Sequence, residues 1–220
     1  MKERPILFSG PMVRALLDGR KAQTRRLLTE VQKLHGYDFV HILSGETARV
    51  LTIKEPPGAA YAGFRHQDAD QESSPLYFKC PYGQPGDRLW VREKHARYGA
   101  KETWCSPHYF ADSETLPSIN ERHDAGLLRT YPSIHMPRWA SRITLEITRV
   151  RVERLRDISE EDARAEGARP SIVGDDLDHL KFRAGFQTLW DSINGKPRKD
   201  SPDISWEANP WVWVVEFKLV

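Results

Sequence analysis

The chain of 220 residues reads as an α+β protein whose mixed or antiparallel sheet closes into a small barrel. Three observations predict this. The element order is strand, helix, several strands, a long strand, two helices and a terminal strand, not the regular alternation of a parallel α/β fold. Trp211-Val212-Trp213-Val214-Val215-Glu216-Phe217-Lys218-Leu219 alternates with period two and puts its odd positions on one apolar face. The phosphate-cradling patterns GxGxxG and GxxxxGK[ST] are absent.

The elements follow in chain order. Residues 5–8 form a short strand. Ser9-Gly10-Pro11 opens a helix with proline suited to the first helical position, and Gly19 closes it, because glycine enters the left-handed region at little cost. Residues 20–28 leave that helix as loop or strand. Strands are expected near 39–43 and 48–53, followed by a polar loop rich in Asp, Gln and Ser. Cys80-Pro81-Tyr82-Gly83-Gln84-Pro85-Gly86-Asp87 is turn chemistry and leads into an alternating strand at 88–93. The long strand at 143–155 changes phase between Ile147 and Val150, which predicts a β-bulge. Ser159 caps a helix whose first turn is acidic and which Gly167 ends. A second helix is expected over about 177–193, with Phe182, Phe186, Leu189, Trp190 and Ile193 on one side.

The composition narrows the class. Hydrophobic residues make up 39% and the chain holds seven Trp, seven Tyr and eight Phe, enough to bury a core. No apolar run approaches the roughly 18 residues of a membrane helix, and no signal region follows Met1-Lys2-Glu3-Arg4-Pro5. Two cysteines do not build a secreted disulfide framework. The expectation is a cytoplasmic protein with no membrane partner. The net charge of +2 conceals blocks: residues 1–35 carry eight bases against three acids, and 129–156 carry seven arginines against two glutamates. Residues 157–178 carry eight acids against two arginines. Such polarisation fits a face for an anion or nucleic acid; solvated outward faces are the competing explanation.

The segment with most chemistry is Gly19-Arg20-Lys21-Ala22-Gln23-Thr24-Arg25-Arg26. A threonine hydroxyl needs a neighbouring base to act as nucleophile. A lysine with a lowered pKa can be that base, or while charged can hold an oxyanion. Without further information the segment reads first as a basic loop for phosphate or solvent. Arg88, Trp90 and Arg92 alternate on one face of a strand, and Arg138, Trp139 and Arg142 precede another; arginine interleaved with tryptophan suits phosphate contact and base stacking, or a packed rim. Cys105-Ser106-Pro107-His108 has a ligand-like spacer, but Cys80 and His95 are spaced unlike any finger or ribbon, so no metal site is expected.

Gly19, Lys21, Thr24 and Arg26 in the pattern Gly-x-Lys-x-x-Thr-x-Arg resemble the signature of the ASCH domain family, a branch of the PUA-like β-barrels. Pro85-Gly86-Asp87-x-Leu89-x-Val91 is similar to that family's turn into a central strand. Ser159 to Gly167 is similar to its Ser/Thr-Glu-x-x-Ala-x-x-Glu-Gly helix, and Trp213 to Lys218 to its terminal strand. Pro132 to Arg142 is similar to a segment of longer phage and prophage members. The match covers about 4–28, 81–93 and 131–220, and makes the chain one domain with insertions at about 31–76 and 94–130. In family members that hydrolyse N4-acetylcytidine, the catalytic lysine, threonine and glutamate fall on Lys21, Thr24 and Glu166. The resemblance implies an amidohydrolase of a modified nucleobase or nucleoside, with no cofactor. Arg20, Arg26, Arg88, Trp90, Arg92, Arg138 and Arg142 would contact a nucleoside, nucleotide or RNA. The alternatives are an RNA or nucleotide reader without turnover and a ribonuclease using the same cleft.

Overall fold

The computed structural model describes residues 1–30, 37–43, 60–66, 75–97, 107–112, 129–172, 180–195 and 202–220. The expected strand at 48–53 and the expected start of the second helix at 177–179 lie outside these residues. The N-terminal part contains β1 (Glu3–Leu7), α1 (Gly10–Leu17) and β2 (Gln23–Leu27). Then come β3 (Tyr37–Leu43), β4 (Tyr61–His66), β5 (Leu76–Lys79) and β6 (Arg88–Arg92). Three short strands follow: β7 (His95–Arg97), β8 (His108–Tyr109) and β9 (Arg129–Tyr131). The C-terminal part holds β10 (Thr144–Arg154), α2 (Glu160–Ala165), β11 (Ser171–Ile172), β12 (Leu180–Lys181), α3 (Phe182–Asn194) and β13 (Trp211–Leu219).

The fold is α+β. Its centre is a mixed five-stranded sheet in the order β1-β6-β10-β13-β2, in which β1 is parallel to β6 and the other pairs are antiparallel. The described strands do not close into a barrel. The edge strands β1 and β2 are joined through α1, and the Arg26 guanidinium of β2 donates to the Leu7 carbonyl of β1 at 2.6 Å. The predicted bulge is present: Ile147 faces Phe217 and Arg149 faces Glu216, so one residue of β10 is extra.

β13 departs from the expectation of one apolar face. Val212, Trp213, Val214 and Val215 are each 0% exposed. As an inner strand it is covered twice. Trp213, Val215 and Phe217 join Ile6, Phe8, Leu89 and Leu145 in one cluster. Val212 and Val214 join Leu155, Ala163, Phe186 and Trp190 beneath α2 and α3 in another. The segment expected to be an insertion at 31–76 contributes to the first cluster: Ala62 and Phe64 of β4 are fully buried in it, and Phe64 meets Trp211 edge-on. β3, β4 and β5 form their own antiparallel sheet, as do β8, β7 and β9 of the 94–130 segment. β3 is the strand expected near 39–43, whereas β7, β8 and β9, two or three residues each, carry too few alternating positions to be read from sequence.

Local rules account for the helices. Ser159 Oγ accepts from the Asp162 amide at 3.0 Å, the expected cap of α2. α3 has no cap of its own; the Glu160 carboxylate of α2 accepts from the Phe182 and Arg183 amides instead. The helix starts at Phe182, later than predicted, because Leu180 and Lys181 pair with β11. No helix among the described residues is long and apolar enough to cross a membrane.

Gly19 and Gly167 both have positive φ, +69° and +77°. A Cβ at Gly19 would meet nothing within 4 Å, whereas at Gly167 it would lie 2.7 Å from Ala15 Cβ. We therefore expect Gly19→Ala to cost about 1–2 kcal/mol, the left-handed penalty alone. Gly167→Ala adds an overpacking term and should cost roughly 3 kcal/mol. Urea unfolding of both variants checks this; equal midpoints would contradict the packing argument.

Candidate functional site

β2 leaves the left-handed turn at Gly19 and runs along the open edge of the central sheet. Just before it, Lys21 forms an isolated antiparallel bridge with Glu166 at the end of α2. The Ala22 amide donates to the Ala165 carbonyl at 2.8 Å. These backbone contacts set two charged side chains against each other. Lys21 Nζ donates to Glu166 Oε2 at 2.9 Å and to the Glu166 carbonyl at 2.7 Å. The lysine side chain is 0% exposed and the glutamate 3%, so this is a buried ion pair.

Arg25 completes the arrangement. Its side chain is also fully buried. It donates to Glu166 Oε1 at 3.2 Å, to Asp162 Oδ2 at 2.8 Å and, through Nε, to Glu153 Oε1 at 2.9 Å. Arg151 of β10 donates to Asp162 at 2.6 Å and to Glu153 at 3.1 Å, and also pairs with Glu216 of β13. Gln23 Nε2 donates to the Asp162 carbonyl at 3.0 Å. Alternation along β2 turns Gln23 and Arg25 toward α2, while Arg26 lies over the Phe8 ring on the opposite side, 5.4 Å from its centroid. Lys21 Nζ also lies 5.4 Å from that centroid, so it reaches around the edge of the strand.

A cleft of about 160 Å³ opens along this edge, lined by Thr24, Arg25, Arg26 and Glu166, with Phe186 and Trp190 of α3 among its apolar walls. Thr24 is 2% exposed. Burial pulls the Lys21 ammonium below its ordinary range; the Glu166 carboxylate opposes this, and the charges of Arg26 and Arg25 add to the lowering. Asp162 is held below the usual carboxylate range because Arg25 and Arg151 outweigh its burial. The arrangement sets an amine of lowered pKa against a carboxylate fixed between two cations, and that carboxylate shares the cleft with Thr24.

The predicted site residues separate into four places. Thr24, Glu166 and Arg26 line the cleft, whereas Lys21 does not line it and joins the site through its pair with Glu166. Arg20 is exposed and pairs with Asp18 at 2.8 Å. Arg88, Trp90 and Arg92 project from β6 on the side away from the core cluster that holds Leu89 and Val91. There Arg92 and Arg138 both lie over the Trp90 ring, at 5.4 and 5.9 Å, and Arg138 pairs with Glu3 at 2.9 Å. Arg142 is committed elsewhere: its guanidinium bridges Glu93 and Asp112 and covers the Tyr109 ring at 3.9 Å.

Sequence reading missed Arg25, Glu153, Arg151 and Asp162 as members of the site. The only signal was the doubled arginine at Arg25 and Arg26, which does not reveal that the two face opposite sides. Among the described residues no group of His, Cys, Asp and Glu is placed to hold a metal ion. Cys80 is buried, and burial pushes its thiol up to about 11; Cys105 lies outside the described residues. Comparison with family models, curated proteins and solved structures gives no match.

Glu166→Gln leaves Lys21 buried without its counter-charge. We expect a loss of about 3–5 kcal/mol at neutral pH. The unfolded chain binds the Lys21 proton up to about 10.5, its ordinary value, and the folded chain releases it earlier. In that window the unfolded state holds more protons, so stability rises with pH. Denaturation of the variant at pH 7 and pH 10 should show the deficit shrinking; a deficit independent of pH would contradict the assignment.

Proposed function

We propose that the protein is a hydrolase of the ASCH type acting on the amide of a modified nucleobase or nucleoside, N4-acetylcytidine-like, at Lys21, Thr24 and Glu166. The observation that supports this most is the buried Lys21–Glu166 pair at 2.9 Å beside a cleft lined by Thr24 and Glu166. In this reading the open five-stranded sheet corresponds to the strands of a PUA-like barrel, and the residues of 31–76 and 94–130 are additions around it.

This reading assigns each group a step. The Thr24 hydroxyl attacks the acetyl carbon while its proton passes to neutral Lys21. The amide C–N bond breaks, and Lys21 returns that proton to the departing N4 amine. Water then hydrolyses the threonine ester, releasing acetate and restoring the hydroxyl. Glu166 orients Lys21 and balances its charge when it is protonated. Arg26 at the cleft offers fixed positive charge to the oxyanion.

A second reading, binding of single-stranded RNA without turnover, is favoured by a different observation. Trp90 lies beneath Arg92 and Arg138 on the outward face of β6, and the Nε atoms of Arg88 and Arg92 are buried with no hydrogen-bond partner among the described residues. Such a platform suits base stacking beside phosphate contact.

Acetate release from N4-acetylcytidine decides between them. The wild type should turn over, and Thr24→Ala should lose on the order of 10²–10⁴-fold in kcat/KM. The rate should rise with pH as Lys21 loses its proton, with a midpoint below 10.5. No acetate from the wild type would sink the hydrolase reading for this substrate. Salt-sensitive RNA retention lost in Trp90→Ala, without acetate release, would establish the second.

A further inference from the structure

The resemblance and the motif both pass over Arg25, yet its side chain joins Glu166 to the carboxylates around it. Its guanidinium is fully buried and forms hydrogen bonds to three carboxylates on two elements: Glu166 and Asp162 at the end and start of α2, and Glu153 on β10. The contact to Glu166 goes to Oε1, and Lys21 holds Oε2. The two oxygens of one carboxylate are thereby assigned to different cations. Asp162 and Glu153 are in turn held by Arg151, whose third partner is Glu216. The fork of Arg25 is thus clamped from behind and cannot rotate without unpairing the buried Glu166 and the half-buried Asp162 and Glu153.

We propose that Arg25 is a positioning residue of the site: by occupying Oε1 of Glu166 it leaves only Oε2 to Lys21 and so sets how the proton of Lys21 is held. The groups facing Lys21 are Glu166 from α2 and Arg25 and Arg26 from β2, with Phe8 after β1 closing the apolar side. Removing the Arg25 fork takes away a cation near Lys21 and frees Oε1 to turn toward the amine. Both changes make Lys21 bind its proton more tightly. Lys21 is then protonated over a wider pH range and fails as a base for the Thr24 hydroxyl. In its kinetic consequence this rests on the hydrolase reading; in its electrostatic consequence it does not.

The test pairs an NMR titration of the Lys21 side chain with the pH profile of N4-acetylcytidine hydrolysis, in wild type, Arg25→Gln and Arg25→Lys. In folded Arg25→Gln the Lys21 titration and the rising limb of kcat should move to higher pH together. At pH 7 kcat should fall at least tenfold while KM stays within about twofold. Arg25→Lys keeps a cation without the fork; it should move both in the same direction but less, and it decides the matter if Arg25→Gln does not fold. A Lys21 titration unchanged from wild type in a folded variant overturns the proposal, because lost packing alone would lower stability without moving that titration. If the wild type shows no turnover, the hydrolase reading fails, while the NMR arm still decides the role of Arg25.

Discussion

Charges removed from water must be paired, and in this protein that requirement joins α2 to the edge of the central sheet. Lys21 and Glu166 are both buried, and each would be costly alone. Their pairing demands that the end of α2 lie beside the residue that precedes β2, and the backbone bridge between the same two residues meets that demand. Arg25, Asp162, Glu153 and Arg151 extend the pairing into the sheet, so that β2, β10 and α2 hold one another through charge as well as packing. The close approach explains Gly167: a side chain there would collide with Ala15 and crowd Lys21.

The apolar framework serves this arrangement. β13 separates two hydrophobic clusters and is buried on both faces over its middle. One cluster holds α1 and β4 against the sheet. The other holds α2 and α3, with Trp190 Nε1 donating to the Ile204 carbonyl at 2.9 Å and the Trp206 amide donating to Asp191. The cleft lies where the second cluster ends at the open edge of β2. Its walls are apolar because α3 is there, and its base is polar because β2 brings Thr24, Arg25 and Arg26.

A second charge cluster stands apart from the cleft. Glu93 is 1% exposed, and burial raises its carboxyl even though Arg142 opposes the shift. Arg142 ties it to Asp112, linking the end of β6 to the residues after β8. This consumes a residue that the sequence placed among nucleic-acid contacts. Arginine in a sequence advertises binding and buried pairing equally, because the same fork serves both.

By itself the sequence determined the α+β class, the long bulged strand, the helix capped by Ser159 and the terminal strand. Each rests on interactions within a few residues: capping, glycine conformation and alternation. It also marked Lys21, Thr24 and Glu166, although only through a resemblance. Tertiary structure alone decided that these residues share one edge, that β13 is covered on both sides, and that β4 belongs to the core. It alone capped α3 with a carboxylate from α2 and separated Arg25 from its neighbour Arg26. The physical reason is that burial of a second strand face and pairing of buried charges depend on separate elements of the chain, as with Lys21 and Glu166, whose sequence separation is 145. No local periodicity carries that information.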